Sequence, residues 1–115
     1  MSAAPEVPAV DPAEARRCLE AGATLLDVRE ADEWDTGHAP EATWIRMGDV
    51  AARHAELAAD QPIVVVCRSG GRSARVTSAL LQAGYDATNL AGGMQAWATA
   101  GFSVVTDGGA PGTVA

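Results

Sequence analysis

Lysine is absent from this chain. All eight basic residues are arginine, against fifteen acids, so 115 residues carry a net charge of −7. Such a balance argues against partners rich in negative charge, and neither nucleic acid nor an anionic membrane is expected. No apolar run approaches the length that crosses a bilayer. Met1 to Val10 shows no basic stretch followed by an apolar core, so no secretory signal is read and a cytoplasmic location is expected. Cysteine occurs twice, as Cys18 and Cys67, which is too few for a disulfide framework. There is no Cys-x-x-Cys or His-x-His pair, and His38 and His54 lie far from either cysteine in sequence. No metal and no other cofactor is therefore called for.

What is present points to one loop. Ile63-Val64-Val65-Val66 is a short apolar, β-branched run, and Cys67 follows it directly. Arg68, Ser69, Gly70, Gly71, Arg72 and Ser73 come next, and a helix pattern begins there. The pattern is the best in the chain, with Val76, Ala79, Leu80 and Ala83 on one face and Gly84 at the end. A strand, a glycine turn and a helix start hold one sulfur over backbone N–H groups at a positive helix end. That setting makes a thiolate and binds an anion. Gly70 and Gly71 leave room for a sharp turn, Ser69 and Ser73 add hydroxyl donors, and Arg68 and Arg72 offer planar cations to an oxyanion. Ser73 is read equally well as a helix cap. Arg75 alone reads as a solvated helix residue.

The rest of the chain supplies a scaffold. Residues 1–10 read as an extended lead-in, 11–106 as one domain, and the Gly-rich 107–115 as a flexible tail. Asp11-Pro12-Ala13-Glu14 starts a helix, with Ala15, Cys18 and Leu19 on its inner face. Cys18 is core filler on this reading. Thr24 to Val28, Trp44 to Arg46, Ala87 to Leu90 and Phe102 to Val105 are further candidate strands. Glu30 to Thr36 is helical or turn-like, and Gly48 to Ala59 and a segment opened by Gly92-Gly93 and carrying Trp97 are candidate helices. In Gly48 to Ala59, Val50, Leu57 and Ala58 are expected inward. Alternating strands and helices imply an α/β fold, a three-layer domain whose central sheet is mostly parallel, with about five short strands and helices on both faces. Sites in such sheets lie beyond the carboxyl ends of strands, where Cys67 falls.

Four segments in order resemble the single-domain rhodanese family of sulfurtransferases. They are Leu25-Leu26-Asp27-Val28-Arg29-Glu30; Glu33-Trp34 with Gly37-His38-Ala39-Pro40; Cys67 to Ser73; and Gly92-Gly93 with Trp97 and Gly101. The resemblance implies a Cys67 persulfide that takes sulfur from thiosulfate or a similar small anionic donor. Cyanide or a thiol, free or on another protein, would accept it. It implies Cys67 as nucleophile, the Arg68 to Ser73 amides as its cradle, Arg68 and Arg72 as donor-binding cations, and Asp27 and Arg29 as braces. The last two read as a structural ion pair rather than as direct catalysts. His38 and Trp97 read as turn and packing residues, and His54 as a boundary residue. One departure stands out: Glu41 follows Pro40 where the family favours glycine.

Two rival readings share the pattern. Phosphatases and arsenate-type reductases use a similar cysteine–arginine cradle, but only four residues separate Cys67 from Arg72, and the phosphatase ring is a residue longer. A shorter ring suits one transferred sulfur atom better than a tetrahedral oxyanion. A non-enzymatic persulfide carrier or regulatory binding module is the other alternative. Monomer and homodimer are both compatible with the sequence.

Overall fold

The computed structural model describes residues 7–115. Five parallel strands form one sheet in the order β1-β5-β4-β2-β3. They are β1 (Ala9–Val10), β2 (Thr24–Asp27), β3 (Thr43–Trp44), β4 (Ile63–Val66) and β5 (Ala87–Leu90). The helices are α1 (Pro12–Glu20), α2 (Ala31–Thr36), α3 (Val50–Arg53), α4 (Gly71–Gln82) and α5 (Gly93–Thr99). The chain runs outward from β2 to β3, returns to β4, and continues the other way to β5. The switch in direction leaves a crevice past the ends of β2 and β4, where Cys67 sits.

All four residues of β4 are buried, as a central strand covered on both faces requires. Their side chains alternate between two cores. Ile63, Val65 and Cys67 join Leu26, Val28, Val50, Leu57, Val76 and Leu80 under α3 and α4. Val64 and Val66 join Leu25, Ala15, Leu90, Met94 and Trp97 under α1 and α5. Each face therefore locks the register, since a slip of one residue would exchange the two cores. The three-layer α/β architecture expected from the sequence is the one observed.

Local signals hold well where caps are explicit. Asp11 caps α1 by accepting the Glu14 N–H at 2.8 Å, and Gly22, at φ +108°, ends it. Four expectations need correction. Residues 48–59 are not one helix: 3-10 turns at Met47–Asp49 and His54–Glu56 flank the four-residue α3. Leu57 is buried but Ala58 is exposed, because a segment made largely of alanine has little side-chain surface with which to define an inner face. Phe102 to Val105 adds no strand to the sheet. Instead Val105 makes isolated antiparallel bridges to His38 and Pro111, and Phe102 packs on Trp97 at 5.0 Å. On α4, Val76 and Leu80 face the core whereas Ala79 and Ala83 are exposed, since Ser73 and Thr77 take the remaining inner positions.

The fourth correction concerns the termini. Residues 107–115 fold back on the domain: Trp34 Nε1 donates to Asp107, the Thr113 N–H to Thr36, and Val114 packs on the α1–α5 core. Glycine richness here serves close approach, for Gly37 and Gly112 meet so closely that a Cβ on Gly112 would lie 2.8 Å from the Gly37 Cα. At the other end, Ala9 and Val10 pair with Asn89 and Leu90 in parallel, and residues 1–6 of the expected lead-in lie outside the described residues.

Candidate active site

Cys67 emerges from β4 at the floor of the crevice and is 1% exposed. Its sulfur accepts the Gly70 N–H at 3.1 Å and the Ser73 hydroxyl at 3.2 Å. Gly70 stands at φ +117°, left-handed backbone that favours glycine. Gly71 is different. It is the first residue of α4, its φ is not positive, and a Cβ there would meet nothing. Of the two loop glycines, only Gly70 answers a conformational need.

The loop amides face the sulfur because the carbonyls on the other side are taken. α5 begins beneath the loop, and its Met94 and Gln95 N–H groups bond the Cys67 and Arg68 carbonyls at 2.8 and 3.1 Å. In a trans peptide the C=O and N–H point opposite ways. Fixing the Arg68 carbonyl on α5 thus aims the Ser69 N–H back toward the sulfur. Gly93 makes this approach possible: at φ +61°, a Cβ on it would lie 2.5 Å from the Cys67 carbonyl oxygen.

Burial pushes the Cys67 thiol up, but the Ser73 hydroxyl and the backbone N–H groups of Ser73, Gly70 and Ser69 outweigh it, and the thiol titrates below its ordinary value. Ser73 itself is fully buried. Its hydroxyl also lies 2.6 Å from Asn89 Oδ1 and 3.2 Å from the Gly70 carbonyl. Ser73 is thus a donor to the loop and not the helix cap, for α4 is capped at Gly70 and Ser73 lies within its first turn. Asn89 was not singled out in the sequence; its only signal is an amide inside the apolar run of β5.

Asp27 and Arg29 form a fully buried pair. Arg29 Nη2 lies 2.7 Å from Asp27 Oδ2, and Nε bonds both carboxylate oxygens at 3.0 and 3.1 Å. The same guanidinium donates to the Gly37 and Glu33 carbonyls at 2.9 and 3.2 Å. These bonds tie the end of β2 to α2 and do not reach the sulfur, so the structural-pair alternative fits. Arg72 does not face an open cradle: it pairs with Glu33, a second residue the sequence left without a role of its own. Arg68 is exposed and donates through Nε to the Ala115 backbone oxygen. Arg75 is exposed and lines a groove with Met47, Val50 and His54. His38 is buried against Trp34, their rings stacked at 3.5 Å, and its Nδ1 lies 2.9 Å from the Trp34 carbonyl. Glu41 is accommodated by Arg16 of α1, which donates to it at 2.6 Å. Among the described residues no histidine or carboxylate bonds the sulfur, and no cluster suited to a metal ion is found.

A cysteine cradled by amides after a central parallel strand is the geometry expected of the resemblance, and a direct comparison agrees. The Rhodanese-like domain profile matches residues 11–100. The chain belongs to the rhodanese-like family. Its relatives among rhodanese-like proteins include a putative sulfurtransferase, YtwF, of Bacillus subtilis, 44% identical over 73 residues that span 64% of this chain and 71% of that protein. A thiosulfate sulfurtransferase, GlpE, of Pseudomonas savastanoi is 32% identical over 89 residues, 76% of this chain and 84% of the relative. Among solved structures, a rhodanese-related protein of Thermoplasma volcanium superposes with a TM-score of 0.82 at 29% identity, over 87% of this chain and 99% of that one. These sulfurtransferase relatives support a rhodanese-type transferase here. Among the described residues, no helix is long and apolar enough to cross a membrane.

Proposed function

We propose that this chain is a sulfurtransferase that moves sulfane sulfur from thiosulfate or a similar donor to cyanide or a thiol, through a persulfide on Cys67. The observation that carries this reading is the sulfur's setting: amide and hydroxyl donors around it, and no proton-transfer group bonded to it. A thiolate attacking a sulfur–sulfur bond needs no general base, and sulfite or a thiolate leaves without an acid. Amide or ester cleavage would need such a partner.

In the first half-reaction the Cys67 thiolate attacks the outer sulfur of the donor. The new S–S bond forms as the donor's own S–S bond breaks, and the electron pair departs with the leaving group. The persulfide keeps the transferred sulfur under the Ser69, Gly70 and Ser73 amides. In the second half-reaction cyanide or a thiolate attacks that outer sulfur, and Cys67 leaves as thiolate. Arg68, Ser69 and Gly71 are exposed around the nearly buried sulfur, so substrates arrive over the loop. Asp27 and Arg29 brace the crevice and make no contact with the reacting atoms. A free cysteine thiol persists in a reducing compartment, which fits the cytoplasm.

The test is thiocyanate formation from thiosulfate and cyanide, with intact mass after thiosulfate alone. Wild type gains about 32 Da, one sulfur atom, and Cys67→Ser gains nothing. Mass gain without thiocyanate would indicate a carrier that passes sulfur only to a protein thiol. Absence of both would reject sulfur transfer, and Cys67-dependent hydrolysis of an aryl phosphate would replace it with phosphoryl chemistry.

A further inference from the structure

The arginine that should attract an anionic donor is already engaged. Arg72 places Nη1 and Nη2 on the two carboxylate oxygens of Glu33, at 2.6 and 2.8 Å. Such a two-pronged pair is among the stronger side-chain contacts. Glu33 is also held from other directions. Its side chain is 16% exposed, its Oε1 accepts the Glu30 N–H at 3.0 Å in the capping box of α2, and its carbonyl accepts from Arg29. The Arg72 guanidinium holds the Glu33 carboxyl down at about 2, so Glu33 is charged throughout the pH range in which a thiolate works. The other loop arginine, Arg68, turns its Nε to Ala115.

Donors differ in how much this matters. Thiosulfate brings two negative charges to a thiolate that already has one, and sulfite carries two away. An organic persulfide brings at most one, as R–S–S⁻, and none in the R–S–SH form that a thiolate attacks. The Cys67 thiolate attacks its outer sulfur, the electron pair leaves with R–S⁻, and the proton stays on the transferred sulfur. With Arg72 neutralised at contact distance, the dianion has no free counter-charge from that residue.

We propose that Glu33 is the specificity-determining residue of this site: by keeping Arg72 paired, it selects an organic persulfide over thiosulfate as donor. The inference rests on the sulfur-transfer reading and narrows it. Glu33 acts through Arg72 and touches no reacting atom, so it is a positioning residue.

The experiment follows the gain of one sulfur by Cys67, by quenched-flow mass measurement, with thiosulfate and with the persulfide of 2-mercaptoethanol. Wild type should load faster from the persulfide at equal concentration. Glu33→Gln keeps an oxygen for the Glu30 N–H but removes the charge. It should raise the thiosulfate-to-persulfide ratio of kcat/KM about 5–10-fold, chiefly through a lower KM for thiosulfate. Adding Arg72→Gln should abolish that gain. An unchanged or lower ratio in Glu33→Gln overturns the proposal while sulfur transfer stands. Loading from neither donor overturns both. Wild type provides a test that needs no variant to fold. Raising KCl from about 0.05 to 0.5 M should speed thiosulfate loading relative to persulfide loading, because like charges are being screened. A relative fall would reveal a free cation at the mouth and overturn the proposal.

Discussion

Cys18 is partly exposed and packs on apolar residues alone, whereas Cys67 is 1% exposed, shares the α3–α4 core and also takes polar donors on its sulfur. Exposure alone would nominate Cys18; the hydrogen-bond donors nominate Cys67. Cys18 lies on the inner face of α1, a helix whose N–H groups are committed to its own carbonyls, and among the described residues nothing donates to its sulfur. Cys67 lies where a strand has ended and a helix is just beginning, so several N–H groups have no helical partner and turn to it. On the proposed function, unspent backbone donors and not access to water mark the sulfur that reacts.

The sharpest way to break this comparison is to exchange the roles by mutation. Cys67→Ser should lower sulfur transfer by about 10³-fold or more, while Cys18→Ser should keep most activity. Both variants should fold, and circular dichroism checks that. Full activity in Cys67→Ser, or its loss in Cys18→Ser, would reverse the assignment.

The next largest effect tests where the donors come from. Gly93→Ala places a methyl group 2.5 Å from the Cys67 carbonyl and 2.6 Å from Arg68 backbone atoms. The loop must then lift from α5, and the peptide that aims the Ser69 N–H loses its anchor. We expect activity to fall about 10–100-fold and stability by about 2–3 kcal/mol, from strain at positive φ plus overpacking. Denaturant unfolding and steady-state rates check the two parts. Wild-type rates in this variant would mean that α5 has no part in orienting the cradle.

How much of this was legible beforehand depends on the range of the interaction. The Cys67 loop is legible because its signal is local: a β-branched run, a cysteine, glycines and a helix start within eleven residues, 63–73. The two-sided core followed from the continuous apolar run of β4. What was missed was supplied by distant segments. Glu33 reaches Arg72 across 39 residues and Asn89 reaches Ser73 across 16; neither spacing carries a period that a sequence pattern displays. The tail was misread because composition reports only that glycine permits flexibility. Its bonds to Trp34 and Thr36 exist only once α2 is in place.

A smaller effect separates the Ser73 hydroxyl from the amides. Ser73→Ala removes one donor to the sulfur and leaves Asn89 without its closest partner, at a cost of about 1 kcal/mol in stability. The thiol's pKa then rises, since burial still opposes the charge with less to offset it. The thiolate forms above the folded-state pKa, so alkylation by iodoacetamide and the sulfur-loading rate both fall as pH drops through that value. In wild type the fall lies below the ordinary thiol range, and in Ser73→Ala it moves to higher pH. At neutral pH the variant should react several-fold to about tenfold more slowly. The amides alone should still keep Cys67 ahead of Cys18, read by mass after digestion. If Ser73→Ala leaves the midpoint where it was, backbone N–H groups hold the thiolate by themselves, and the contrast between the two cysteines is one of main chain only.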